Sequence, residues 1–458
     1  VTIDSGDVTG TTRVGAVNGV ATFAGLGKAG TIGSKTLTFS DAANALTPAT
    51  KNFTLTHGAA HHTSLAVAST LANNTAFATQ PVVTIYDQDD NVVTSGSQSS
   101  QTVTLSATGA TTVAIGGSIS MDAFEGVANF TGKGVKLTGL VGARSLVATI
   151  ASPNTVTATA SVTITFGAAH HLNISSGATG ATSRVAFTNQ PAIEVLDISG
   201  NRVDDSTAQI SVAATGANGA VLGGDTSMNA TAGVAYFNLN TNKLKLSGAV
   251  GSYTLTYASS GLTAATESIS LTHGVATQIV LTQNAAGAKS GQAFTTQPSL
   301  EVRDADGNLV DTGVAATASI RVQTGASAYD AAAHTGVNLT GPASSDVVDA
   351  VAGVATFRGL RLEGVAASAY ALNFETVNTA GYNGIATTQN IALTAGTQTQ
   401  LRVVEQPSNI VAGVAFATAV KAEILDAWNN RVLDVANTVT IKPTLVADAL
   451  ASTVIDST

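Results

Sequence analysis

A short apolar segment that ends in an acidic turn occurs four times in this 458-residue chain. Such internal repetition means that the chain is an array of similar modules, and this constrains its fold more than any single residue does. The four copies read TQPVVTIYDQDDNVV from residue 79, NQPAIEVLDISGNRV from 189, TQPSLEVRDADGNLV from 296 and ATAVKAEILDAWNNRV from 417.

A second motif gives the period of the repeat. GVATF at Gly19 recurs as GVANF at Gly126, GVAYF at Gly233 and GVATF at Gly353, with spacings of 107, 107 and 120 residues. Joint motifs LTHGAAHH, TFGAAHHL, LTHGVATQ and LTAGTQTQ begin at residues 55, 165, 271 and 393. We therefore predict three complete repeats at 58–166, 167–273 and 274–395, the third with an insertion near 326–349.

The two ends of the chain complement each other in this scheme. Residues 1–57 are predicted to be the C-terminal part of one repeat, and residues 396–458 the N-terminal part of another. A window cut from a longer array would show the same ends. We favour that explanation over completion of each part by another molecule through strand addition.

Each repeat shows the pattern of antiparallel strands with one buried face. In the first copy Val83 and Ile85 alternate with polar or variable residues, and GVANF places Ala128 and Phe130 on one face. About seven strands in a repeat of this length fit an immunoglobulin-like sandwich. The sequence therefore predicts an all-β chain of tandem immunoglobulin-like β-sandwich domains arranged as a rod.

Composition excludes several classes of partner. The formal net charge is −9 and only 11% of residues are charged, without blocks of one sign, so there is no basic footprint for nucleic acid. The longest apolar run, around 410–420, is too short for the roughly 20 residues that span a bilayer, and we expect no membrane span. There is no cysteine, so disulfides contribute nothing to stability.

Five elements recur in one order: the Q-P dipeptide, the apolar strand, the D-x-x-G-N-x-V turn, the G-V-A-T-F motif and the joint. This order resembles the bacterial immunoglobulin-like (Big-type) tandem repeats of large cell-surface, surface-layer and adhesin proteins. The resemblance covers the whole chain. It implies an extracellular or cell-surface location and a role as a stalk, surface-layer element or matrix fibre, without catalysis.

The acidic turn has two interpretations. Its four copies read DQDDN, DISGN, DADGN and DAWNN, so only the first Asp and the last Asn are common to all. A hairpin turn explains this pattern, because Asp accepts backbone hydrogen bonds and Gly or Asn tolerates positive φ. Calcium, which needs about six to eight oxygens, is the alternative cofactor. Its candidate ligands are Asp87, Asp89, Asp304 and Asp306; Trp428 occupies the third position of the last copy.

Other residues that could carry chemistry form no catalytic pattern. His57, His61 and His62 lie at one joint, His170 and His171 at the next, His273 alone at the third, and His334 in the insertion. Such clusters could bind zinc or nickel, but Thr and Gln replace them in later joints, which favours polar linker residues. With no cysteine, no G-x-S-x-G motif and no locally oriented histidine, we predict that the chain is not an enzyme.

These features favour a structural subunit of an extracellular assembly, such as a surface layer, fibre or matrix filament. Uncharged outer faces rich in Thr, Ala and Ser suit packing against copies of the same chain, laterally or end to end. The alternative is an adhesin stalk whose ligand-binding tip lies outside this segment. A glycan-binding accessory to an exported enzyme is a third hypothesis, although one Trp and seven Tyr supply few stacking platforms for cell-surface glycans.

Overall fold

The computed structural model divides the chain into two compact units. The first comprises Val1–Ala181, Ala186–Lys245 and Ser252–Ile269, and the second comprises Thr182–Val185, Leu246–Gly251 and Ser270–Thr458. The structure describes residues 1–3, 8–41, 43–44, 46–151, 155–216, 219–326, 328, 330–333, 336–341 and 346–442. Across these residues no helix has the length and apolarity to cross a membrane.

Residues 1–57 form a three-stranded sheet of order β1-β4-β5 and a two-stranded sheet β2-β3. Their strands are β1 Thr2–Ile3, β2 Val8–Thr9, β3 Gly27–Lys28, β4 Gly33–Phe39 and β5 Ala49–Leu55.

The first unit contains a sandwich whose strands run from His62 to Thr165. Three sheets have the orders β12-β8-β6, β11-β9-β14-β15-β7 and β10-β13, and all pairs are antiparallel except β15 with β7. The strands are β6 His62–Ala66, β7 Thr70–Ala72, β8 Val82–Tyr86, β9 Thr102–Thr108, β10 Val113–Gly116, β11 Ser120–Asp122, β12 Val127–Asn129, β13 Lys136–Gly139, β14 Gly142–Ile150 and β15 Val156–Thr165, with a 3₁₀ helix at Ser97–Ser100.

Residues 167–273 repeat this plan with sheets β16-β17-β21, β20-β18-β23-β24 and β19-β22. The strands are β16 Ala169–Ser176, β17 Ala192–Asp197, β18 Gln209–Thr215, β19 Val221–Gly223, β20 Ser227–Asn229, β21 Val234–Tyr236, β22 Lys245–Ser247, β23 Gly251–Ala258 and β24 Ala265–Leu271, with a 3₁₀ helix at Phe237–Leu239.

The second unit contains the third copy of the plan, with sheets β25-β27-β31, β26-β34-β33-β28-β30 and β29-β32. A two-stranded sheet, β35-β36, follows it. The strands are β25 Ala276–Gln283, β26 Ala288–Lys289, β27 Ser299–Asp304, β28 Ser319–Thr324, β29 Val337–Thr340, β30 Val347–Asp349, β31 Val354–Thr356, β32 Arg361–Gly364, β33 Ala367–Val377, β34 Ala386–Thr394, β35 Gln398–Glu405 and β36 Lys421–Asp426, with a 3₁₀ helix at Val314–Thr317.

The predicted insertion near 326–349 is only partly described. Residues 327, 329, 334–335 and 342–345 lie outside the described residues, and they include His334. Residues 443–458 of the C-terminal part also lie outside them.

Apolar residues alternate into the core of each sandwich as the sequence pattern predicts. Val83, Ile85, Ala128 and Phe130 are all buried, and they belong to one core cluster of residues 58–166. The corresponding buried residues are Ile193, Val195, Ala235 and Phe237 in the next copy, and Leu300, Val302, Ala355 and Phe357 in the third. The fold class is therefore the predicted one, a tandem series of immunoglobulin-like β-sandwiches.

The glutamine of the Q-P dipeptide connects two non-strand segments within each complete repeat. Gln80 donates to the carbonyls of Phe77 (2.9 Å) and Val135 (3.1 Å) and accepts from the Val135 amide (2.8 Å). Gln190 and Gln297 make the same three bonds with Phe187 and Leu244, and with Phe294 and Leu360. A side chain thus replaces strand-to-strand pairing where proline cannot donate.

Candidate functional site

The first Asp of the repeated turn is a buried carboxylate. It accepts hydrogen bonds from its own turn, from the joint glycine and, in the second copy, from the side chain of Asn73. In the second copy Asp197 is fully buried, and its Oδ1 accepts from the amides of Ser199 (2.8 Å) and Asn201 (3.0 Å). Its Oδ2 accepts from the Gly167 amide (2.9 Å) and from the side chains of Asn73 (2.8 Å) and Asn201 (2.9 Å). The bonds within the turn confirm the hairpin interpretation.

The last residue of the turn, Asn201, binds the preceding repeat. Its Nδ2 donates to the Gly139 carbonyl at 3.0 Å, and its Oδ1 accepts from the Val141 amide at 2.8 Å. Gly139 ends β13, so one amide side chain satisfies backbone groups of a neighbouring sandwich. We call the turn Asp and Asn, with the joint glycine and the loop that they bind, the joint clamp.

The same clamp occurs at all four joints. Each turn Asp accepts a bond of 2.7–2.9 Å from the amide of the joint glycine, which is Gly58, Gly167, Gly274 or Gly396. Each turn Asn donates to one carbonyl and accepts from one amide of the preceding loop. These pairs are Gly30 and Ile32 for Asn91, Gly139 and Val141 for Asn201, Gly248 and Val250 for Asn308, and Gly364 and Ala366 for Asn430.

Despite burial, hydrogen bonding lowers the pKa of three turn carboxylates, Asp87, Asp197 and Asp304. Burial raises the pKa of Asp197, but donors from Asn201, Gly167 and Asn73 outweigh it, and the pKa falls below the ordinary 3.8. The pKa values of Asp87 and Asp304 are lowered in the same way against the same burial. Each of these clamps therefore contains a buried negative charge that N–H dipoles stabilise.

Glycine at the joint allows close backbone approach in three of the four clamps. A Cβ on Gly167 would lie 2.4 Å from the Asn73 carbonyl oxygen, and one on Gly396 would lie 2.1 Å from that of Ser290. The equivalent distance for Gly274 and Ser183 is 2.7 Å. A larger residue would force the strand away from the preceding sandwich.

The third clamp has an additional ion pair. Asp306, two residues after the turn Asp, accepts bonds from Arg184 Nε (3.0 Å) and a terminal guanidinium nitrogen (2.6 Å), and from the Ser183 hydroxyl. The Arg184 hydrogen bond outweighs burial and lowers the pKa of Asp306 to about 2. This joint therefore combines the clamp with a charge contact in which two guanidinium N–H groups of Arg184 donate to one carboxylate oxygen, Oδ1 of Asp306.

The four calcium candidates lie in these turns in pairs. Asp87 and Asp304 are buried acceptors of N–H bonds, Asp89 is exposed, and Asp306 faces Arg184. Within the described part of the chain, no group of three or more His, Asp or Glu side chains could hold a metal ion. The calcium role stays a prediction.

Two histidines contact the clamps directly. His57 Nδ1 lies 2.9 Å from the Gly58 carbonyl, and its Nε2 lies 2.8 Å from the Ser95 hydroxyl. His273 makes the equivalent contacts with Gly274 (3.0 Å) and Thr312 (2.7 Å). Their polar contacts fit the predicted linker role.

The sequence contains one signal for the clamp that a hairpin turn alone does not explain. Only the first Asp and the last Asn were common to all four turns, and both are clamp residues. Positive φ falls instead on the residue before that Asn: Asp90, Gly200, Gly307 and Asn429. The Asn is therefore required for its side chain rather than for its backbone.

No family model matches the sequence, and no curated protein matches it. Among solved structures, FdeC, an Escherichia coli adhesin, is 17% identical over 74% of this chain and 100% of that chain, with a TM-score of 0.28. Invasin, a bacterial integrin-binding protein, is 13% identical over 76% of this chain and 63% of that one, with a TM-score of 0.29. Cadherin domains 1–5 of protocadherin gamma B2 are 12% identical over 87% and 73%, with a TM-score of 0.28.

Parts of bacterial glycosidases also match, including 25% of a β-glycosidase from Bacteroides vulgatus at 12% identity. Similarity at these identities and scores carries no argument about activity. Function has to be argued from the residues of this chain.

Proposed function

We propose that the chain is a non-catalytic structural segment of an extracellular repeat protein, in which the joint clamps fix each sandwich to the next. The observation that carries this proposal is the fourfold recurrence of one polar constellation at the joints. We propose the repeat boundaries at the clamp glycines, near residues 58, 167, 274 and 396. Repetition at joints favours mechanical continuity over recognition of a separate ligand.

The clamp suits a load-bearing joint because its bonds are buried. A hydrogen bond to an ionised group contributes about 1.5–3 kcal/mol net, and water competes little where the carboxylate is inaccessible. Each clamp also binds backbone atoms, so it restricts both the position and the rotation of the loop it holds. We propose that this limits bending between neighbouring repeats.

We further propose that such segments assemble laterally with copies of themselves, as a surface layer, fibre or matrix filament. The five-stranded sheet β11-β9-β14-β15-β7 presents hydroxyl side chains on β9 and β15, with the exposed carboxylate of Asp122 on β11 beside Thr102 at its edge. The five strands contain 3, 7, 9, 10 and 3 residues, 32 in all. At about 3.3 Å per residue and about 4.8 Å between strands, they give a face of about 500 Å², or about 1,000 Å² buried between two copies, which is the lower limit for a specific interface. The exposed residues are Thr102, Thr104, Ser106, Thr108, Thr157, Thr159, Ser161, Thr163 and Thr165.

An adhesin stalk is the second candidate, because the clamps would serve an isolated spacer equally well. Its ligand-binding tip, and any glycan partner, would then belong to other parts of the protein. The two candidates differ in whether the sandwiches contact other copies.

Electron microscopy of the native protein, with and without a calcium chelator, tests these alternatives. Ordered sheets or filaments support assembly, and isolated particles support a stalk. Thr159→Lys, which places a cation among the hydroxyl side chains of β15, should abolish ordered arrays, while Ser64→Lys on the exposed side of β6 should not. Arrays that survive Thr159→Lys would refute this face as the contact. Hydrolysis of a substrate by the purified chain would refute the non-catalytic proposal.

A further inference from the structure

Two pairs of histidines, each adjacent in sequence, lie at equivalent positions in consecutive repeats. His170 and His171 place their Nδ1 atoms 3.3 Å apart, with rings nearly perpendicular at 81° and centroids separated by 5.4 Å. The rings of His61 and His62 have the same interplanar angle, 81°, and a centroid separation of 5.8 Å. The equal ring geometry in two separate repeats indicates that the backbone imposes it.

A β-bulge explains why neighbouring side chains meet. On a regular strand successive side chains point to opposite faces, so adjacent histidines would diverge. In β16 the pairing shifts between Ala169, which faces Asp197, and His171, which faces Leu196, leaving His170 as the extra residue. Bulges of this kind re-aim a side chain.

We propose that His170 and His171 chelate one divalent transition-metal ion of the Zn²⁺, Cu²⁺ or Ni²⁺ class. Two imidazole nitrogens bound to tetrahedral zinc at about 2.0–2.1 Å lie roughly 3.3 Å apart, which matches the observed separation. Imidazole is a preferred ligand of these ions. Each ring would bind through a neutral Nδ1, with its proton on Nε2, and water would fill the remaining positions.

The surroundings leave the pair accessible. His170 is exposed and His171 is half-buried, so an ion can approach without unfolding of the sandwich. At the first pair, His62 Nε2 lies 3.0 Å from Asp90 and its ring stacks on Tyr86 at 5.3 Å. A carboxylate on Nε2 favours the tautomer that leaves the His62 Nδ1 free for a metal. The equivalent position and the equal ring angle extend the proposal to this pair as a second site.

Later repeats show what the position does without histidine. Gln278 replaces His171 and donates to the Asp304 carbonyl at 2.8 Å, and Gln400 does the same with Asp426. The described hydrogen bond of His171 is made with His170 instead. The same bulge therefore accommodates Thr–Gln in place of His–His within this chain. Exchange of a histidine pair for Thr–Gln is a matched substitution.

Isothermal titration of the full chain with ZnCl₂ and CuCl₂ at pH 7.5 tests the proposal. We expect two ions per chain, one ion after His170→Thr with His171→Gln, one ion after His61→Thr with His62→Gln, and none when both pairs are exchanged. The Cu²⁺ electron paramagnetic resonance spectrum should show two nitrogen ligands at each site. Circular dichroism without metal should be unchanged in every variant.

Unchanged zinc and copper stoichiometry in the His170→Thr, His171→Gln variant would overturn the proposal. So would a copper spectrum without nitrogen ligands in the wild-type chain. Loss of one ion from this double variant, with its circular dichroism intact, would assign that ion to the pair.

Discussion

Replacing Asn201 by alanine isolates the contribution of one clamp. The substitution removes bonds to the Gly139 carbonyl, the Val141 amide and the buried Asp197 carboxylate. Two neutral bonds at about 1 kcal/mol each and one charge-assisted bond at about 1.5 kcal/mol give a local loss of about 3.5 kcal/mol. Because 1.4 kcal/mol corresponds to a factor of ten, the joint should open roughly 300-fold more often.

Hydrogen exchange resolved to single amides measures this effect in the full chain. The Val141 amide loses its acceptor and should exchange roughly 300-fold faster, whereas the Gly167 amide keeps its bond to Asp197. Asn173→Ala, an exposed substitution in the same repeat, is the control and should leave both rates unchanged. Equal Val141 exchange in wild type and Asn201→Ala, with circular dichroism unchanged, would refute the clamp as a stabilising contact.

Three further results are expected. Gly291→Ala should shift the fluorescence emission of the single tryptophan, because the new Cβ would lie 2.1 Å from the Trp428 ring. Gly381→Ala is the control, since Gly381 has a similar positive φ but open space around it, and it should leave the emission unchanged. Equal spectra for the two variants would contradict this packing. Asp306→Asn should flatten the dependence of Tm on pH between about 4 and 2. Since Arg184 lowers the pKa of Asp306 from 3.8 to about 2, the stabilisation is complete above pH 4 and is lost as pH falls; an unchanged slope would contradict this. Addition of calcium should leave the Tm of the chain unchanged. If calcium instead raises Tm, and Asp306→Asn abolishes that increase, the calcium role of the turn would be established.

The fold was predictable because burial in a sandwich imposes a period of two on each strand. Val83 and Ile85 show this directly, since a shift of one residue would expose both. The turn was predictable because it is local: the amides of Ser199 and Asn201, two and four residues on, donate to the Asp197 carboxylate.

The clamp was not predictable because its partners are distant in sequence. Asn201 binds Gly139 and Val141 across about 60 residues, and both partners use backbone atoms that any residue possesses. No side-chain pattern marks such acceptors. The meeting of His170 and His171 was hidden for another reason, because it depends on a bulge and not on the alternation of the strand.

The clamp also has a genetic consequence. Every complete repeat carries a turn that binds backwards and a loop that the following repeat binds, as with residues 197–201 and 248–250. Unequal recombination that adds or removes one whole repeat therefore leaves every remaining joint with both of its halves. The gene can change the length of its product by copy number alone, without evolving a new interface.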